Sequence, residues 1–259
     1  MRKTLLATAL LSALGASSAA FAADAPASPH TATGNLSFAS EYIYRGIAQT
    51  DGAMALQGGF DYSHASGLYV GVWGSNISWL NDNVSGTAGP SLEVDVYGGY
   101  KFAAGPVAFD LGVLTYNYPG TGRADGAANP DTEEVYAAAT VSYFTLKYSH
   151  TLGSLFGWTK TVDGTKTKGS GYLELNAAFD LGNGFGLSAH VGDQSVKGRD
   201  SAEYTDYNIA LTKDLGYGVA KLLYSDTDAK GDCSLVEDYC LNGRNNGQDT
   251  VVASFTKAF

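Results

Sequence analysis

Long apolar runs are missing from the body of this sequence. Beyond Ala22 no stretch approaches the ~18 consecutive apolar residues of a spanning helix, so a helical membrane anchor is excluded. Charge is also scarce: Asp, Glu, Lys and Arg make up 16% of the chain, against about 25% in ordinary soluble proteins. Positive charge is scarcest. With Arg2 and Lys3 set aside, the 16 basic residues fall to 14 against 26 acidic ones, a balance of −12. That balance argues against nucleic acid as a partner. There are two cysteines, Cys233 and Cys240, in DCSLVEDYC. No histidine lies near them, and their spacing is wider than that of a redox motif. In an exported chain such a close pair reads as a disulfide.

The N-terminus supplies the export signal. Met1-Arg2-Lys3 is basic, Leu5 to Leu14 is a short apolar run, and Ala20-Phe21-Ala22 is a small-x-small cleavage site. Residues 1–22 therefore read as a secretory signal peptide. Residues 23–33 read as a short linker and 34–259 as one β domain.

What fills that domain is alternation. In SLEVDVYGGYKF, Leu92, Val94, Val96, Tyr100 and Phe102 share one face, and Glu93, Asp95, Tyr97 and Lys101 share the other. The period is two, which is a strand and not a helix. Twelve such segments are expected, at 35–47, 53–63, 67–77, 91–102, 106–118, 132–141, 144–152, 171–181, 185–194, 204–213, 217–227 and 249–259. Their connections alternate. HASG, AAGP, GNG and DLGYG are tight turns; SWLNDNVSGTAGP, PGTGRADGAANPD and GSLFGWTKTVDGTKTKGS are long and polar. AQTDG, in the first long slot, reads as a modest loop. Short turns at one end and long loops at the other are the signature of an up-and-down transmembrane β-barrel with lipid outside and a wet lumen within. Lipid cannot satisfy backbone groups, so the sheet must close. Twelve strands tilted ~40° give a backbone diameter on the order of 24 Å. The chain ends on Phe259, with Val251, Ala253 and Phe255 on its face. Such an aromatic end resembles the signal read by barrel-assembly machinery.

From Gly34 to Asn76 the sequence resembles a known family. Tyr44, Arg45-Gly46 and Thr50-Asp51 are followed by QGGFDY (Gln57 to Tyr62), His64, and GLYVGVWGSN (Gly67 to Asn76). EVDVYGGY, YNYPG, LKYSH, SGYLELNAAFDLG, AHVG and YTDYNIALTKDLG continue the likeness over nearly all of the mature chain. The pattern is similar to that of the TorF family of porin-like proteins, formerly a conserved bacterial family of unknown function. The resemblance implies a bacterial outer-membrane barrel and little about substrate. No family pattern covers the cysteine pair.

The face opposite the lipid defines the candidate site. Asp61, Glu93, Asp95, Asp110, Glu134 and Glu174 are expected to point inward with Arg45, Lys101, Lys147 and Lys221. Acids outnumber bases, which favours cations if the groups line an open bore; mutual neutralisation is the structural alternative. Arg45, read as the only arginine of an early strand, is expected to hold an anion or pair with a wall acid such as Asp61. Tyr42, Tyr44, Tyr62, Tyr100, Tyr148 and Tyr207 are candidates for interfacial girdles.

Nothing in the sequence asks for an enzyme. His64 sits in a turn and His150 and His190 near strand ends, and there is no Gly-x-Ser-x-Gly elbow. GNGFG at Gly182 to Gly186 is a hairpin turn without a following helix. NDNVSG begins like a calcium loop (Asn81, Asn83, Ser85, Gly86), but its twelfth position is Leu92 where such a loop has Glu. No metal site and no cofactor is expected. The readings that stand are a diffusion channel for small polar solutes and a non-conducting structural or adhesive barrel working through its outer loops. A secreted lectin-like sandwich is disfavoured by the loop alternation.

Overall fold

The structure is a computed structural model, and it describes residues 28–80, 89–120 and 129–259. The expected signal peptide, 1–22, and the NDNVSG segment lie outside the described residues. The strands run β1 (His30–Ala39), β2 (Ile43–Tyr44), β3 (Ile47–Ala48), β4 (Ala55–His64), β5 (Leu68–Asn76), β6 (Leu92–Ala104), β7 (Val107–Asn117) and β8 (Thr132–Val141). They continue with β9 (Phe144–Thr151), β10 (Gly171–Gly182), β11 (Phe185–Ser195), β12 (Tyr204–Asp214), β13 (Val219–Thr227), β14 (Cys240–Leu241), β15 (Arg244–Asn245) and β16 (Thr250–Ala258). Among the described residues one 3-10 turn is present, Asp200–Ala202.

All except β2, β3, β14 and β15 form one closed antiparallel barrel in the order β1-β16-β13-β12-β11-β10-β9-β8-β7-β6-β5-β4. The twelve-strand barrel expected from the alternation is therefore present, with every strand paired to its sequence neighbour. The seam joins β1 to β16 from Asn35↔Ala258 to Ala39↔Ser254. Gly34 and Phe259 exchange two backbone hydrogen bonds of 2.8 and 2.9 Å at its end. A Cβ on Gly34 would come within 2.6 Å of the Phe259 ring, so glycine lets the terminal aromatic lie across the seam.

Eleven strands match their expected positions closely. The first does not. β1 begins at His30, inside the expected linker, and stops at Ala39 instead of continuing to residue 47. The chain then leaves the wall over residues 40–54, so the first long slot holds a long loop like the others. The physical reason is local turn chemistry. Arg45 and Gly46 both adopt positive φ, 46° and 77°, which is the two-residue primed turn of a tight hairpin. Tyr44↔Ile47 and Ile43↔Ala48 pair around it.

Side chains divide as period two requires. Leu36, Phe38, Val70, Leu111, Leu173 and Ile209 are exposed on the outside, so the outer wall is apolar. At the short-turn end the exterior carries paired rings: Phe102 stacked on Phe109 at 5.1 Å and Tyr143 tilted against Phe179 at 5.2 Å. Tyr100, Tyr148 and Tyr207 also face outward. Tyr42 and Tyr44 do not. Tyr42 is buried and Tyr44 partly so, both inside the barrel, because the hairpin that carries them folds inward.

Candidate functional site

Much of the tyrosine content lies inside the barrel. Tyr69, Tyr97 and Tyr136 each stand opposite an inward glycine on the adjacent strand: Gly99, Gly71 and Gly112 respectively. A Cβ on Gly71 or Gly112 would collide with the ring it faces. The glycines thus let each tyrosine lie flat over its neighbour strand and reach a polar partner. Tyr97 donates to Asp61 Oδ1 at 2.6 Å and Tyr69 to Asp110 Oδ1 at 2.6 Å.

The half of the lumen next to the long loops carries a layer of acids. Glu93 and Asp95 come from β6, Glu134 from β8, Glu174 from β10 and Asp206 from β12. All five are between 0 and 5% exposed, so this level of the bore is filled by protein. The filler is the β2–β3 hairpin. Its tip crosses the bore, and a Cβ on Gly46 would lie 2.6 Å from the Asp206 Cβ; only glycine lets the tip approach that wall. Arg45 there donates to Glu134 through both terminal nitrogens, at 2.8 and 3.1 Å, and to Gln194 Oε1 at 3.0 Å. Its guanidinium also lies 4.2 Å from the centre of the Tyr172 ring. Tyr42 donates to Glu93 Oε1 at 2.8 Å and packs edge-on against Trp73 at 5.4 Å. Tyr44 and Tyr116 meet edge-on, and Phe156 from loop 152–170 contacts both.

The base of the hairpin is tied to two other loops through Asp51. Its carboxylate accepts from Ser78 at 2.8 Å, Asn242 at 3.0 Å and Asn246 at 2.8 Å. Arg244 donates to the Asp51 carbonyl at 2.8 Å and lies 3.7 Å from Glu41.

Below the hairpin a cavity of about 230 Å³ remains. It runs along the wall to Ser142 and Tyr143 at the short-turn rim. Arg45, Asp95, Lys147, Glu174, His190, Asp206 and Lys221 supply its charged side chains and its imidazole. A smaller cavity of about 60 Å³ lies on the other side of the hairpin, walled by Tyr44, Trp79, Phe156 and Trp158.

The expected inward residues are all inward, but their partners decide what they can do. Arg45 belongs to a hairpin tip and not to a wall strand, and its acid is Glu134 instead of Asp61. Lys147 lies 3.4 Å from Glu174 and Lys101 4.0 Å from Asp110. Glu93 is covered by Tyr42 and lines neither of the two cavities. Asp95 lines the cavity, and its Oδ1 is buried without a hydrogen-bond partner. His190 lies in the middle of β11 and not near its end. It hydrogen-bonds with Tyr172 at 2.8 Å, Asn176 at 2.7 Å and Asp206 at 3.1 Å. Asp206 and Gln194 escaped the sequence reading, although both occupy inward positions of alternating strands. Among the described residues no three His, Cys, Asp or Glu side chains converge as metal ligands. In loop 228–249 the structure joins Cys233 to Cys240, with Cα atoms 5.0 Å apart. Arg199 from loop 196–203 reaches Asp238 beside it.

Comparison with known proteins places this chain. Residues 23–259 match the family model described as bacterial protein of unknown function, Gcw_chp, and the chain belongs to that family. No curated protein matches it. Among solved structures it is similar to the KdgM porin, at 8% identity and a TM-score of 0.51, covering 88% of this chain and 99% of that one. A structure of KdgM porin in complex with disordered oligogalacturonate matches at 7% identity and 0.52, with the same coverage. The NanC porin matches at 9% and 0.51, again over 88% and 99%. At these identities the likeness is one of fold: a closed porin-like barrel.

Proposed function

We propose that this Gcw_chp member is a bacterial outer-membrane channel for passive diffusion of small polar solutes, without enzymatic activity. The observation that carries the proposal is the charged cavity of about 230 Å³ inside a closed barrel whose exterior is apolar. Water and polar solutes have a reason to enter that space, and lipid has a reason to surround the wall. The porin fold and the likeness of residues 34–76 to TorF-type porins point the same way. In this reading the short turns and both termini face the periplasm and the long loops face outward. Residues 1–22 direct export, and Phe259 is the mark recognised by barrel-assembly machinery. Glu134, Glu174 and Asp110 are ion-paired, so any preference for cations falls to acids without such a pair, Asp95 and Asp61 among them.

One observation favours a second reading. The β2–β3 hairpin fills the bore at the acid layer, as it would in a non-conducting barrel that works through its loops. Planar-bilayer recording separates the two. Discrete conductance steps from the refolded mature chain, enlarged when residues 42–48 are replaced by a short Gly-Ser link, are expected for a channel. Silence from both proteins supports the non-conducting barrel.

A further inference from the structure

We infer that the cavity below the hairpin is a binding site for a small dipolar solute bearing both an ammonium and a carboxylate group, an inference that rests on the channel reading for access to the site. The ammonium end is set by Asp95. This carboxyl group is 5% exposed and lines the cavity, and its Oδ1 has no hydrogen-bond partner. No Lys, Arg or His among the described residues lies within ion-pair distance of it; Arg45, the nearest candidate on the hairpin, is spent on Glu134. A buried carboxyl without a partner is costly, and a cation entering from the cavity would remove that cost.

The walls around Asp95 suit an organic cation better than a metal ion. Trp73 stands directly opposite it on β5, Tyr116 directly opposite on β7, and Tyr97 is its next inward neighbour on β6. Tyr42 closes the group from the hairpin, edge-on to Trp73. All four rings line the cavity. Aromatic faces with one carboxylate attract an ammonium by cation–π contact and charge. They offer few of the oxygen ligands that a hard metal ion requires.

The carboxylate end is set by Lys221. It opens into the same cavity from β13. Its lateral partners, Thr212 and Ser254, are neutral, and no acid among the described residues pairs with it. The other wall lysines are committed, Lys147 to Glu174 and Lys101 to Asp110. In the strand order β13 and β6 are seven steps apart one way and five the other, so Asp95 and Lys221 come from opposite sides of the ring. Asp95 lies toward the long loops and Lys221 toward the short turns. A cavity of about 230 Å³ is below the roughly 300–1,000 Å³ of drug-sized sites, which favours a metabolite of amino-acid size.

The alternative is that Asp95 is a protonated filler, for which Asn is an equal substitute. Tryptophan fluorescence of the full-length mature protein in detergent, titrated with γ-aminobutyrate and ε-aminocaproate, distinguishes the two. Butylammonium and butyrate serve as single-pole controls. At least one of the dipolar probes is expected to bind saturably, about tenfold tighter than either control. Asp95→Asn should weaken that probe and butylammonium about tenfold and leave butyrate unchanged. Lys221→Met, on the opposite wall, should weaken that probe and butyrate and spare butylammonium. Each variant is compared only if its heat-modifiable gel mobility matches wild type, and either one alone tests the site. Absence of saturable binding, or equal affinities in wild type and the variants, overturns the inference. Bilayer conductance of the same preparation reports on the channel separately. Conductance without binding overturns the site alone; silence in the bilayer overturns the channel.

Discussion

Arg45 and Glu134, 89 residues apart, meet through paired hydrogen bonds of 2.8 and 3.1 Å in the middle of the barrel. One comes from a hairpin tip and the other from the wall, and both are almost fully buried. The pair is the contact that fixes the hairpin across the bore. Removing one partner of a buried pair costs about 3–5 kcal/mol, because the other charge is left uncompensated. Arg45→Ala should therefore free the tip while the barrel persists. Amide exchange at Ile43 to Ala48 should speed up and conductance should rise. Pairing it with Glu134→Gln should restore part of the protection. Unchanged exchange in Arg45→Ala would show that the Asp51 ties alone hold the hairpin.

The glycine–tyrosine pairs make the inner wall sensitive to a single methyl group. Gly112→Val should drive the Tyr136 ring off its strand and away from Tyr69. Overpacking of this kind costs roughly 1–3 kcal/mol, read as a lower urea midpoint of the refolded barrel. Adding Tyr136→Ser should recover most of the loss. A Gly112→Val midpoint equal to wild type would mean that the ring has another place to go.

The Cys233–Cys240 bridge closes a loop of sequence separation 7. Loop-closure entropy for so short a span is about 2–3 kcal/mol, and it acts on the loop and not on the closed backbone of the barrel. Replacing both cysteines with Ser should leave assembly intact and speed protease cleavage near Leu235 and Val236, which are exposed. Failure of the barrel to assemble would tie this loop to folding itself.

Loop 228–249 is also tied through Asp238. Burial raises the pKa of its carboxyl, but hydrogen bonds from Arg199 and Ser201 and the Arg199 charge outweigh burial and hold it below its ordinary value. A depressed folded pKa gives stabilisation that is complete above the unfolded value, about 3.9, and is lost as pH falls through the folded value. Cleavage at Leu235 by an acid protease should therefore accelerate as pH falls below about 3.9. Asp238→Asn should already be cleaved quickly at higher pH and show a flatter profile. Identical profiles would exclude this tie as the acid-sensitive one.

The sequence by itself determined the wall. Strand alternation is a local property, written into each segment such as Leu92 to Phe102. The contrast of HASG with SWLNDNVSGTAGP is enough to set which end carries the turns. The close cysteine pair was equally legible. The fate of residues 40–54 was not. YRGI carries a tight-turn signal, but Tyr42 and Tyr44 continue the alternation of β1, and alternation does not distinguish a strand in the wall from a hairpin inside it. Only tertiary structure decided that, because the tip is held by Glu134, Gln194 and Tyr172, from strands far along the chain. The same holds for charge. Inward orientation follows from period two, whereas pairing follows from which strands face each other across the closed ring. Tertiary structure therefore paired Arg45, Lys101 and Lys147 with acids and left Asp95 and Lys221 open to the cavity.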